Sequence, residues 1–196
     1  MSYLCLLLGM GAVQLVYSQA TIIRAINQWH SESADVFFKY MTELGDGWFA
    51  CVVIVGLFFY AKPLAGIAGV SFLSSALVAQ ALKRVFFDEV VRPSKYFEGQ
   101  WSDYHRVTGV ELLSDNSFPS GHTTSAFAVF CLLALVLPNK RWGGFLLIMA
   151  CLVGYSRMYL FQHFMIDVYA GSVIGTSTAV VVFLYFRRQG RTLNHE

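Results

Sequence analysis

Long apolar runs separated by short polar breaks make up most of this chain. Residues 64–82 are nineteen consecutive positions without a charge, and residues 168–186 form a second run of nineteen that ends at Arg187-Arg188. A third run, 142–156, is shorter and continues past Arg157. Two more occupy 47–61 and 123–137, the latter stopping at Pro138. A spanning helix takes about 20 residues, within a range of roughly 17–25, so the shorter runs are expected to extend into their flanks. Residues 3–16 are also apolar but short, and no basic residue precedes them. Ser18-Gln19-Ala20 has the small–x–small form of a cleavage site, yet we read 3–16 as a retained first helix.

Two stretches depart from this pattern. Over 22–44, Ile22, Ile26 and Trp29 keep helical spacing, as do Phe37, Met41 and Leu44, while Arg24, Glu32, Asp35 and Lys39 fill the other faces. That predicts helix lying in the membrane interface. Residues 83–118 form a long polar loop holding Arg92, Pro93, Lys95, Trp101, Tyr104 and His105, and loops of that length inside a compact domain are usually functional. The expected fold is all-α: one domain over residues 1–196, an integral membrane bundle of about six transmembrane helices with an interfacial helix near the N-terminus.

Composition supports that reading. Of 196 residues, 56% are hydrophobic and 13% charged, against about 25% charged in soluble domains. A net charge of +2 excludes the electrostatic footprint of a nucleic-acid partner. Cys5, Cys51, Cys131 and Cys151 fall in apolar runs without metal-ligand spacing and read as small hydrophobes. Lys62, Lys140-Arg141 and Arg187-Arg188-Arg191 alternate along the chain, so all share one side if the runs span in order. Basic short loops mark the cytoplasm. The loop at 83–118 and the Arg157–His163 turn then face outward from the cytoplasmic membrane, toward the periplasm or exterior. Raw counts run the other way, six Lys/Arg inside and eight outside, but several of the eight belong to the candidate site.

Residues 156–167 read Ser-Arg-Met-Tyr-Leu-Phe-Gln-His-Phe-Met-Ile-Asp. Ionisable residues at membrane depth are costly and mark function by default. His163 and Asp167 are four apart, so on a helix they share a face. A carboxylate beside an imidazole fixes its tautomer and favours the cationic form. Pro119-Ser120-Gly121-His122 opens the next-to-last but one apolar run, and a helix start of this kind offers free backbone N–H groups to an anion. Lys83 ends one run on the same side, Arg92 follows in the loop and Arg157 ends another. Each feature alone reads as a turn, a cap or a snorkelling side chain. Their convergence reads as a cage for a tetrahedral oxyanion, since Arg forks grip phosphate oxygens and Lys adds a point charge.

These residues resemble the type 2 phosphatidic acid phosphatase superfamily of membrane lipid phosphatases, which shares its site with vanadium haloperoxidases. Its motifs are Lys-x6-Arg-Pro, Pro-Ser-Gly-His and Ser-Arg-x5-His-x3-Asp. The second matches at Pro119, Ser120, Gly121 and His122, and the third at Ser156, Arg157, His163 and Asp167. The first matches loosely: eight residues separate Lys83 from Arg92, and seven separate Arg84 from it. Lys83 and Arg84 compete for the lysine role; Lys83 is preferred by residue type.

The resemblance implies that His163 is a nucleophile forming a phosphohistidine, that Asp167 orients it, and that His122 protonates the leaving group. It implies that Lys83, Arg92, Ser120, Gly121 and Arg157 hold the phosphate oxygens, with no metal or other cofactor. The implied partners are the bilayer and a lipid phosphate: undecaprenyl diphosphate, phosphatidylglycerol phosphate, phosphatidic acid or a lipid A phosphate. The alternatives are phosphotransfer to an acceptor other than water, a zinc site on His122, His163 and Asp167, or a transporter or channel with charges at one end of the bundle. Gly171-x-x-x-Gly175 leaves a homo-oligomer open, but close packing within the bundle is the expected use of the pair.

Overall fold

A computed structural model describes residues 2–190. Among them, all regular structure is helical. The helices are α1 (Ser2–Val16), α2 (Gln19–Gln28), α3 (Glu32–Met41), α4 (Gly47–Tyr60), α5 (Lys62–Ala81), α6 (Pro93–Tyr96), α7 (Gly121–Val136), α8 (Trp142–Tyr159) and α9 (Met165–Arg188). A 3₁₀ turn (Thr42–Gly45) joins α3 to α4, a π-helical turn (Leu82–Phe86) extends α5, and a 3₁₀ turn (Trp101–Asp103) lies in the polar loop.

The apolar runs became α1, α4, α5, α7, α8 and α9. By length and apolar composition, Lys62–Phe86 and Met165–Arg188 each suffice to cross a membrane alone. The bent pairs Ser2–Val16 with Gln19–Gln28 (108°) and Glu32–Gly45 with Gly47–Tyr60 (58°) pass the same test as broken spans. α7 is apolar but shorter, and Arg157 sits near the end of α8. Large side chains such as Leu8, Phe59, Leu77 and Val181 are exposed on these helices, which suits contact with lipid rather than water.

The amphipathic stretch is two helices, not one. Ser31 accepts a hydrogen bond from the Ala34 amide (3.2 Å) and starts α3 afresh after α2 ends at Gln28. Ser18 likewise caps α2, accepting from the Thr21 amide at 3.1 Å. The inner face of α2 does more than lie on a membrane surface. Ile23 is fully buried in a cluster with Phe97, Met158, Phe161, Phe164 and Val168. The loop is pinned there by Phe97, and by Asn27, which donates to the His105 carbonyl (2.8 Å) and accepts from the His105 amide (3.0 Å).

α7 is the central helix, packed by α4, α5, α8 and α9. Gly171 and Gly175 bring α9 onto it. A Cβ at Gly171 would lie 2.7 Å from the Ser120 carbonyl oxygen, and one at Gly175 would collide with the Thr124 carbonyl. The glycine pair therefore serves helix packing inside the bundle, as expected.

Candidate active site

Chain connectivity brings the N-termini of α4, α7 and α9 and the C-termini of α5 and α8 to one end of the bundle. Lys62, Lys140-Arg141 and Arg187-Arg188 fall at the other end. Arg191 lies outside the described residues. Three helix N-termini, each with the positive end of its dipole, favour an anion at the first end.

His163 and Asp167 meet, but not on one helical face. α8 ends at Tyr159, and Phe161 adopts a left-handed conformation (φ 58°) that turns the chain. His163 therefore lies in the buried connection, and α9 begins two residues later at Met165. Asp167 occupies the first turn of α9. Its Oδ2 accepts from the Phe164 amide (2.9 Å) and from the Ser117 hydroxyl (2.5 Å), and lies 3.4 Å from Nδ1 of His163. Oδ1 of Asp167 is buried with no partner. The i,i+4 spacing thus works through a helix cap that turns the carboxylate back toward the preceding loop.

On its other side, Nε2 of His163 lies 3.2 Å from Nη1 of Arg92. A guanidinium can only donate, so Nε2 is the acceptor and Nδ1 carries the proton toward Asp167. The imidazole is 1% exposed. Burial, then Arg157, Arg92, Lys83 and His122, hold it well below the usual histidine range. Desolvation and the surrounding cations thus oppose the imidazolium that Asp167, taken alone, favours.

Arg92 is itself fixed. It donates from Nε to the Asp115 carbonyl (2.9 Å), from Nη1 to the Gln162 carbonyl (3.0 Å) and side-chain oxygen (3.2 Å), and from Nη2 to the Asn116 carbonyl (3.4 Å). Burial lowers its proton affinity. Arg157 is buried at the end of α8, with Nη1 donating to the Thr42 hydroxyl at 2.7 Å, while its Nε has no partner. Lys83 is half-buried in the π-helical turn, within electrostatic reach of Arg92, Asp167 and Arg157. Arg84 is exposed. A π-helical turn accommodates an added residue, which accounts physically for part of the longer spacing between Lys83 and Arg92.

The tetrapeptide at 119–122 forms the start of α7. The Ser120 hydroxyl accepts from the Thr123 hydroxyl (2.9 Å) and amide (3.4 Å), and its amide donates to the Asp167 carbonyl (3.1 Å). Ser120 thus couples the two helix starts, and the first-turn amides of Gly121 and His122 have no intrahelical acceptor. Nε2 of His122 lies 3.9 Å from Oδ2 of Asp46, in the turn before α4. Arg157, Arg92 and Lys83 are its cationic neighbours.

The candidate site residues Lys83, Arg92, Ser120, Gly121, His122, Arg157, His163 and Asp167 all fall at this end of the bundle. Sequence reasoning missed Thr42, Asp46, Ser117 and Gln162. Asp46-Gly47 carries a helix-cap signal; the other three carry none.

The sequence model of the PAP2 superfamily matches residues 64–191. The chain is 36% identical over 93 residues to the undecaprenyl-diphosphatase BcrC of Bacillus subtilis, covering 47% of this chain and 46% of that protein. It is 30% identical over 118 residues to the lipid A 1-phosphatase of Rhizobium johnstonii, covering 59% and 45%. The matches thus span about half the length of these curated relatives. Among solved structures, LpxE of Aquifex aeolicus superposes with a TM-score of 0.74 at 27% identity, covering 84% of this chain and 94% of that one. The transmembrane PAP2-type phosphatidylglycerolphosphate phosphatase of Bacillus subtilis superposes with a TM-score of 0.72 at 26% identity, covering 95% and 94%. With two family motifs matched in full, the first matched loosely, and the family match running over residues 64–191, this chain belongs to the PAP2 superfamily.

Proposed function

We propose that the protein is an integral membrane phosphatase that hydrolyses a lipid phosphate or diphosphate through a phosphohistidine on His163, at the outer face of the cytoplasmic membrane. The observation that carries this reading is the buried His163, with Asp167 on Nδ1 and a guanidinium on Nε2. An imidazole kept neutral, with its lone pair facing a cluster of cations, is prepared to attack a group that those cations attract.

In the first step, Nε2 of His163 attacks phosphorus and the bond to the leaving oxygen breaks. His122 gives its proton to that oxygen. The positive charge that develops on the imidazole faces Asp167. Arg92 exchanges its contact with Nε2 for a phosphate oxygen, and Lys83, Arg157 and the free amides of Gly121 and His122 hold the others. In the second step, His122 takes a proton from water, the oxygen attacks phosphorus, and the P–N bond breaks to return the lone pair to Nε2. Phosphoryl transfer asks little of a protein beyond positioning and charge stabilisation, and the proton transfer contributes roughly 10²–10⁴ in rate. Fixed cations around His163 disfavour a metal cation at the same place, so the cage itself supplies the charge.

The substrate is read as a lipid because the site lies at helix ends among exposed apolar side chains. Trp48, Val85 and Phe86 are 52%, 69% and 69% exposed, beside Asp46 and Lys83 in sequence. A tail can stay in the bilayer while the headgroup enters the cage. Undecaprenyl diphosphate and lipid A phosphate are the first substrates to test, given the activities named for the relatives above. The test is phosphate release by the purified protein from a panel of lipid phosphates, with and without a chelator. Chelator-insensitive release from at least one of them is the expected result; no release, or release abolished by chelator, contradicts the reading.

A further inference from the structure

We propose that Asp46 is a positioning residue for proton transfer, its carboxylate stabilising the charged form of His122 so that this imidazole can act as an acid. The inference rests on the phosphatase reading above. It concerns a segment, Thr42–Asp46, that lies ahead of the residues matched by the family and outside its three motifs.

The difficulty that Asp46 addresses is electrostatic. An acid must hold a proton before it can give it, and His122 is part-buried and surrounded by Arg157 from α8, Arg92 from the loop and Lys83 from α5. Each opposes a further positive charge. Asp167 is engaged with Ser117 and the Phe164 amide. Glu43 acts on Arg157, and Asp46 acts on that guanidinium as well. Among the described residues, Asp46 is the carboxylate at ion-pair distance from His122, with Oδ2 at 3.9 Å from Nε2. At that separation it acts through charge rather than through a hydrogen bond.

Packing holds this pair in place. Gly45 is buried, and a Cβ there would lie 2.7 Å from the His122 carbonyl oxygen, 2.9 Å from His122 Cβ and 2.7 Å from Cγ1 of Val153. The turn is therefore seated directly on the first turn of α7. The other oxygen of Asp46 caps α4, Oδ1 accepting from the Gly47 amide at 2.5 Å. A cap alone would explain an aspartate here. It would not require the second oxygen to face the histidine.

Asn is as good a cap as Asp but carries no charge, so Asp46→Asn separates the two roles. The experiment measures the pH dependence of kcat/KM for the wild type, Asp46→Asn and Asp46→Glu, on a lipid phosphate and on an aryl phosphate. With Asp46→Asn, the expected result on the lipid phosphate is a loss of about tenfold near neutral pH and an alkaline limb displaced about one pH unit downward. The aryl phosphate, whose leaving oxygen needs little protonation, loses about twofold or less. Asp46→Glu restores most of the activity. A profile for Asp46→Asn that superimposes on the wild type overturns the inference while leaving the phosphatase reading standing. So does an equal loss on both substrates with no displaced limb. A wild-type protein that releases no phosphate from any lipid phosphate contradicts the phosphatase reading, and with it this role.

Discussion

Nη1 of Arg92 lies 3.2 Å from Nε2 of His163, while Oδ2 of Asp167 lies 3.4 Å from Nδ1 of the same ring. The buried imidazole thus separates a cation from an anion. This arrangement fixes the tautomer, and burial with the neighbouring cations disfavours the charged ring. It also places the guanidinium where an incoming phosphate oxygen would take over its hydrogen bond.

The neutral ring has a consequence for acid stability. An unfolded histidine titrates near pH 6.5, whereas burial, Arg157, Arg92 and Lys83 hold His163 well below that in the folded protein. Below about pH 6.5 the unfolded chain therefore binds the extra proton first, and stability is lost as pH falls through that window. The thermal midpoint of the purified protein is expected to drop more between about pH 7 and pH 5 for the wild type than for His163→Gln. Equal drops would mean that His163 titrates as an ordinary histidine.

The first motif gives a second prediction. Lys83 is half-buried in reach of Arg92, Asp167 and Arg157, and Arg84 is exposed. Lys83→Ala is expected to lower kcat/KM by about tenfold or more, and Arg84→Ala by less than about threefold, because charge-assisted contacts to phosphate exceed solvated surface charges. A larger loss at Arg84 would reassign the lysine role.

Thr42 gives a third. Its hydroxyl accepts from buried Arg157 at 2.7 Å, and hydrogen bonds to charged groups contribute about 1.5–3 kcal/mol. Thr42→Val keeps the shape and removes the acceptor. It is expected to lower kcat/KM by about tenfold or more, with Thr42→Ser close to wild type. Full activity in the valine variant would show that Arg157 is held by other contacts.

Much of this site was legible in the sequence, for a physical reason. Charges are so costly in an apolar chain that Lys83, Arg92, Arg157, His163 and Asp167 stand out against their neighbours, and their order matches a family pattern. The geometry that joins them was less legible. The turn between α8 and α9 pivots on Phe161, a non-glycine residue at φ 58° in a buried apolar stretch. Nothing in its composition distinguishes loop from helix, so spacing alone puts His163 and Asp167 on one helical face. Thr42 and Asp46 reach partners more than seventy residues away along the chain, and spacing arguments do not extend that far. The helices themselves were found wherever apolar runs were long. The break at Trp29-His30 is not visible in the pattern because Ile22, Ile26 and Trp29 keep helical spacing up to it.

Orientation gives a fourth prediction. Gln100 lies in the loop at the site end, and Asn139 in the α7–α8 connection at the basic end; both are exposed. Cysteines at these two positions, in a background lacking Cys5, Cys51, Cys131 and Cys151, are to be probed in intact cells with a membrane-impermeant thiol reagent. Gln100→Cys is expected to label and Asn139→Cys is not. The reverse pattern would place the site in the cytoplasm.

The central claim is a phosphoryl group carried on His163. The direct measurement is peptide mapping by mass spectrometry of the purified protein, quenched in alkali during turnover of a lipid phosphate. The account predicts an acid-labile, base-stable phosphoryl group on His163, absent from a His163→Ala protein that is folded and inactive. Turnover with no phosphorylated histidine, or a phosphoryl group on another residue, would contradict it.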